Sequence, residues 1–143
     1  MTDAADGPVR FDTKVAVVLR DDLLAWQELN VTAFLMSGIS ADPDLLGEDY
    51  IDGDEQHYLP MLRQPVLIFQ ADREALAGIR ERASARDMRI AIYTAGLFAT
   101  GHDAANRAII RNVPGRDLDL VGIALHGPRN VVDRITKSAR LHD

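Results

Sequence analysis

Asp117-Leu-Asp-Leu-Val-Gly-Ile-Ala-Leu-His-Gly-Pro-Arg-Asn-Val-Val-Asp-Arg-Ile-Thr-Lys-Ser-Ala-Arg-Leu141 is the stretch on which the fold turns. Its apolar run from Leu118 to Leu125 is too short for a separate core helix and carries β-branched Val121 and Ile123, so it predicts a buried strand. Pro128, just after Gly127, has a backbone angle pre-set for a first helical turn. The strand is therefore expected to turn directly into a closing helix.

Working back along the chain, strands and helices alternate. Val15-Ala-Val-Val-Leu19 is a continuous apolar run that suits a strand covered on both faces. From Leu23 the period changes: Trp26, Leu29, Ala33, Phe34 and Met36 follow helical spacing, with Val31 and Leu35 broadening the face. That pattern predicts a largely buried helix with Trp26 and Phe34 in the core, ending near Gly38 and Asp42-Pro43. Between Asp44 and Gln64 the pattern dissolves into an acidic connection, with Asp52-Gly53 a candidate hairpin tip between Tyr50-Ile51 and Tyr58-Leu59. Val66 to Phe69 is the next buried strand, and Asp72 offers an N-cap to a helix whose Leu76, Ile79 and Ala83 share a face. Met88 to Tyr93 is another strand. After it, Thr100-Gly-His-Asp103 resembles a helix start with Thr100 as cap, and Pro114-Gly115 ends that helix. The series predicts an α/β class, a three-layer α/β/α sandwich around a small mixed sheet, with residues 1–13 a flexible leader and 14–143 a single domain.

Composition narrows the function classes. The chain of 143 residues has 22 acidic against 16 basic residues, for a net charge of −6, which argues against nucleic acid because its binding rests on Lys and Arg neutralising phosphates. The basic residues of the last third, among them Arg107, Arg111, Arg129 and Arg140, are read as solvated surface. With no cysteine there is no thiolate chemistry, thiolate metal site or disulfide. The first residues lack a basic, apolar signal pattern and no later segment approaches a membrane span, so a cytoplasmic protein is expected, with no membrane partner.

Two groups of polar residues are candidates for a site. Asn30 and Thr32 lie on an otherwise apolar helix, where one of them is positioned to face a pocket or to bond a neighbouring loop. Thr94, Thr100, His102, Asp103, Asn106 and Arg107 form the densest polar cluster and follow a buried strand, where α/β folds bind ligands. Capping accounts for much of that cluster too: Thr100 as cap, Asp103 in the first turn, and Arg107 paired with it one turn on. The expectation is a binding module for a small molecule or a protein, through a pocket between the first helix and the Thr94 to Arg107 segment. The alternative is a hydrolase of an ester or amide using His102 with Thr94 or Thr100. Asp52, Asp54, Glu55 and His57 match neither a calcium loop nor a zinc helix, so they are read as a turn, and neither metal nor cofactor is expected.

Trp26-Gln-Glu-Leu-Asn-Val-Thr-Ala-Phe-Leu35, Gln64-Pro65, Tyr93-Thr94 with Leu97 to Asp103, Asn106-Arg107, and Asp117 to Leu141 together resemble the bacterial family catalogued as domain of unknown function two thousand. That resemblance implies a fold similar to type II peptidyl-tRNA hydrolase, and a homodimer, as in the related hydrolases. Lys14, Asp22-Leu23, Ala95-Gly96, Val121-Gly122-Ile123 and Asp133 to Thr136 resemble the hydrolase scaffold. The hydrolases carry lysines at the start of the first helix, a Gln and a His further along it, and an Asp before the Ala-Gly. Here Gln27 and Leu29, Ala33 and Met36, and Thr94 stand at those positions. The resemblance thus implies the frame without the charges of that chemistry.

Overall fold

The computed structural model describes residues 9–143, so most of the expected leader lies outside the described residues. Its centre is β1 (Thr13–Arg20), buried throughout its apolar stretch as expected. Around it lie β4 (Val66–Ala71), β5 (Ile90–Thr94), β6 (Leu120–Pro128) and β7 (Arg140–Leu141), in the order β5-β6-β1-β4-β7. β1 pairs parallel with β4, and the other pairings are antiparallel, giving a mixed five-stranded sheet. A separate two-stranded hairpin joins β2 (Tyr50–Ile51) to β3 (His57–Tyr58).

Alternation along the strands divides the core into two layers. Val15, Val17 and Leu19 face α1 (Ala25–Ile39), while Ala16 and Val18 face α2 (Arg73–Ala85) and α4 (Arg129–Ile135). Asp72 caps α2 as expected, accepting from the Ala75 amide at 2.8 Å, and Leu76, Ile79 and Ala83 are its buried face.

The expected face of α1 is wrong. Its buried residues are Val31, Leu35 and Ile39, one stripe at four-residue spacing, whereas Trp26 is 57% exposed, Leu29 74% and Phe34 54%. The cause is the sheet beneath. Val121 is an extra residue in the β5–β6 register, which passes from Tyr93↔Gly122 to Thr94↔Leu120, and the bulge brings Gly122 under the helix. A Cβ on Gly122 would lie 2.6 Å from Val31 Cγ1 and 3.0 Å from Leu35 Cδ1, so only glycine admits this approach. The helix settles where Val31 and Leu35 fit that gap.

Two further expectations change. The closing helix ends at Ile135, after which Arg140 and Leu141 turn back as β7 onto β4. The cap of α3 (Asp103–Arg111) is His102 and not Thr100, because a 3₁₀ segment, Ala95–Ala99, fills the space after β5 and delays the helix. The hairpin expected around Asp52-Gly53 forms, with Glu55 (φ 65°) as its left-handed residue, and the Asp52 carboxylate gathers the Asp54 and Gln56 amides and the Tyr58 hydroxyl. That hydrogen bonding holds Asp52 below the usual carboxylate range.

Candidate functional site

A groove of about 420 Å³ opens between the outer side of α1 and the segment from Leu97 to Asn106. Its walls are aromatic. Trp26 meets Phe98 edge-on with centroids 5.7 Å apart, and Tyr93 lies 5.2 Å from Phe98 and 6.0 Å from Phe34. Four of the chain's eight aromatic residues converge here. Each comes from a different local rule: Trp26 and Phe34 sit on the part of α1 left exposed by the Val31-Leu35-Ile39 stripe, Tyr93 points to α1 by strand alternation, and Phe98 is set by the 3₁₀ turn.

Polar groups punctuate this wall. Asn30 Nδ2 donates to the Tyr93 hydroxyl at 3.3 Å, and burial pushes the Tyr93 phenol above its usual range, with the Asn30 bond opposing. Thr100 Oγ1 bonds the Leu97 carbonyl at 2.9 Å and also the side-chain amide of Asn106. One end of each of the Asn30 and Asn106 amides is thus bonded inside the protein, and both side chains line the groove with further hydrogen-bonding capacity. His102 Nδ1 accepts from the Ala105 amide at 3.3 Å, which leaves the neutral ring's proton on Nε2. Asp103 lines the groove as well, but it pairs with Arg107 one turn along α3.

Of the polar residues singled out from sequence, Asn30, Thr100, His102, Asp103 and Asn106 meet at this groove. Arg107 lines an adjoining trough of about 470 Å³ that shares Phe34, Tyr93 and Asn106. Thr32 lies on α1 but lines neither. Thr94 is 4% exposed and pairs with Leu120, a residue of the layer under α2 and α4, while its neighbour Tyr93 pairs with Gly122 beneath α1. Period-two alternation therefore turns Thr94 away from the groove, and its buried Oγ1 has no hydrogen-bond partner. Among the described residues, no hydrogen bond joins His102 to Thr94 or to Thr100.

The family model described as "Protein of unknown function (DUF2000)" matches residues 13–143. The chain belongs to the DUF2000 family. A solved structure of the protein of unknown function Atu0240, from Agrobacterium tumefaciens strain C58, is similar to this DUF2000 chain at 48% sequence identity and a TM-score of 0.90. The match covers 94% of this chain and all of that one. None of the curated proteins matches.

Sequence reasoning missed two polar clusters of this DUF2000 chain. At the lower end of the sheet, His126 Nε2 lies 3.0 Å from Thr13 Oγ1 and its Nδ1 3.8 Å from Asp42, while Gln64 Nε2 donates to the Thr13 carbonyl at 3.1 Å. The residues are far apart in sequence and meet only through sheet register, which pairs Thr13 with Pro128 and Val15 with His126. At the opposite edge, His142 Nε2 sits 2.8 Å from Glu28 Oε2 and ties the C-terminus to α1. The missed aromatic wall had one available signal: alternation from the buried strand puts Tyr93 and Thr94 on opposite faces, so the two could never have served one pocket.

Proposed function

We propose that the protein is a binding module that takes a flat, uncharged ligand with an amide-like hydrogen-bonding edge into the groove between α1 and α3, on a frame of the type II peptidyl-tRNA hydrolase kind. The observation that carries this reading is the convergence of Trp26, Phe34, Tyr93 and Phe98 around the free ends of Asn30 and Asn106. Aromatic faces favour a planar apolar body, and a few placed polar groups then fix its orientation. Apart from Asp103, which Arg107 neutralises, no charged side chain lines the groove, which disfavours an anionic substrate. Gln27, Leu29 and Thr94 offer none of the charge that peptidyl-tRNA hydrolysis would draw on.

Trp26 is the chain's one tryptophan and stands on the groove wall, so its emission reports occupancy directly. Titration with planar fragments such as benzamide and nicotinamide is expected to quench or shift that emission and to raise the melting temperature. Asn30→Leu and Asn106→Leu should weaken the response about tenfold each, the worth of one orienting hydrogen bond. If a broad set of flat heteroaromatic amides leaves Trp26 and the melting temperature of the unaltered protein unchanged, the reading fails.

A further inference from the structure

Four residues that the aromatic groove does not use form a polar row across the lower end of the sheet. Thr13, Gln64, Arg89 and His126 each stand two positions beyond a residue of the core under α1, namely Val15, Val66, Ala91 and Ala124. Strand alternation carries Thr13 and His126 onto the α1 face, and Gln64 and Arg89 join them there. The row escapes burial because α1 stops at Ile39. Beyond that point a hollow of about 1,120 Å³ opens, walled by Ile39, Asp42, Pro43, Arg89, Ala91 and His126.

Three side chains here stand in a chemically meaningful order. His126 Nε2 lies 3.0 Å from Thr13 Oγ1, and its Nδ1 lies 3.8 Å from Asp42 Oδ2. Asp42 is fixed by its own turn, since its other oxygen accepts the Asp44 amide at 3.0 Å. Gln64 Nε2 donates to the Thr13 carbonyl at 3.1 Å and to Oγ1 at 3.2 Å, so the Thr13 proton has its nearest acceptor in His126 Nε2, closer than Gln64 Oε1 at 3.3 Å. A hydroxyl, an imidazole and a carboxylate in that order make an activated nucleophile: Nε2 takes the proton, while the carboxylate orients the other ring N–H and steadies the imidazolium. Contacts such as the 3.8 Å one are often long before substrate binds and tighten afterwards. Thr13 is partly exposed, and the His126 side chain, 20% exposed, lines both this hollow and a neighbouring one of about 440 Å³. Arg89 lines both as well and makes no ion pair among the described residues, whereas Arg107, also on the larger hollow, is taken by Asp103.

We propose that Thr13, His126 and Asp42 form a site separate from the groove, a hydrolase centre for esters whose acyl chain ends in a carboxylate. Thr13 Oγ1 attacks the ester carbonyl carbon and its proton passes to His126 Nε2, which hands it to the departing alkoxide; an alcohol leaves and the acyl group stays on Oγ1. A water then loses a proton to Nε2 and attacks the acyl carbonyl, the acid leaves, and the proton returns to Oγ1. Asp42 is a positioning residue that acts through the imidazole. The acyl chain lies on Ile39, Pro43 and Ala91, and its terminal carboxylate meets Arg89. This centre sits past the C-terminal end of α1, whereas the aromatic groove uses Trp26 and Asn30 nearer the start of the helix, so the failure of one reading leaves the other standing.

Steady-state kinetics with two esters of matched chain length test this. The protein should turn over the mono-para-nitrophenyl ester of adipic acid with a KM about fivefold below that for para-nitrophenyl hexanoate, which lacks the terminal carboxylate, and Arg89→Met should erase that preference. Thr13→Val and His126→Gln should each lower kcat at least about a hundredfold, whereas Thr13→Ser, which keeps the hydroxyl, should retain it. Asp42→Asn preserves the bond to the Asp44 amide and should lower kcat about tenfold or more with KM little changed, a split that loss of the turn alone would not produce. His57→Gln removes an exposed imidazole of the hairpin and controls for background cleavage. A fluorophosphonate, which forms a phosphorus–oxygen bond as fluoride leaves, should label Thr13 in the unaltered protein and not in His126→Gln. Absence of turnover with both esters, turnover that survives Thr13→Val or His126→Gln, equal KM for the two esters, or a label on a residue other than Thr13 would overturn the proposal.

Discussion

Placing one methyl group on Gly122 tests the contact that sets the position of α1. Gly122 sits in the β6 bulge with no unusual backbone angle, so alanine is sterically free at its own residue. The obstacle lies across the interface, where the added Cβ would come within 2.6 Å of Val31 Cγ1 and 3.0 Å of Leu35 Cδ1, both on fully or almost fully buried side chains with no room to retreat. Overpacking of this kind costs about 1–3 kcal/mol. Alanine recovers roughly 0.5–1 kcal/mol by restricting the unfolded chain, so a net loss of about 1–2 kcal/mol is expected. For a domain of this size that lowers the melting temperature by about 3–8 °C, readable by calorimetry or urea unfolding. Trimming the obstacle should restore the fit. Val31→Ala alone leaves a cavity and costs about 2 kcal/mol, but combined with Gly122→Ala it should cost less than the sum by about 1 kcal/mol or more. The Gly122→Ala protein should also show altered Trp26 emission, since Asn30 and Trp26 ride on the same helix as Val31. A Gly122→Ala protein as stable as the unaltered one, or a strictly additive double variant, would refute the claim that this glycine positions α1.

Thr94→Val keeps the shape of a fully enclosed side chain and removes a hydroxyl that has no partner, so it should stabilise the fold by about 1 kcal/mol in thermal unfolding. Asp87 follows α2 in a left-handed conformation (φ 53°) whose amide bonds the Ser84 carbonyl at 3.1 Å, and Asp87→Gly should add roughly 0.5–1 kcal/mol to the urea-unfolding free energy by relieving that backbone. His142 has its pKa raised above the ordinary value by its bond to Glu28, helped by the Asp143 carbonyl. The clasp it forms is complete below that ordinary value of about 6.5 and is lost as pH rises through the higher folded-state value. Hydrogen-exchange protection of the His142 amide, which bonds the Ile68 carbonyl at 2.9 Å, should accordingly fall across neutral pH, and His142→Ala should flatten that dependence.

What the sequence disclosed and what it hid separate along a physical line. The strands of the central sheet were legible because burial on both faces leaves a nearly unbroken apolar run, as in Val15 to Leu19 and Val121 to Leu125, and the Asp72 cap was legible because its chemistry is local. The face of α1 was not. Trp26, Leu29 and Phe34 share helical spacing as well as Val31, Leu35 and Ile39 do, and periodicity alone cannot say which of two apolar stripes meets the sheet. The deciding residue is Gly122, some ninety positions away, whose missing side chain selects the Val31 stripe by shape and not by hydrophobicity. The same choice explains the site. Once Val31 and Leu35 take the inward position, Trp26 and Phe34 are left outside, and only then can they wall a groove with Tyr93 and Phe98. Thr94 followed the opposite course: its polarity suggested a site, but the parity of the strand turned it into the far layer. The polar residues named from sequence are thus split by the structure, with Asn30, Thr100, His102 and Asn106 lining the groove and Thr94 turned into the far layer, while Trp26 and Phe34 on its wall come from the second apolar stripe that the helix leaves exposed.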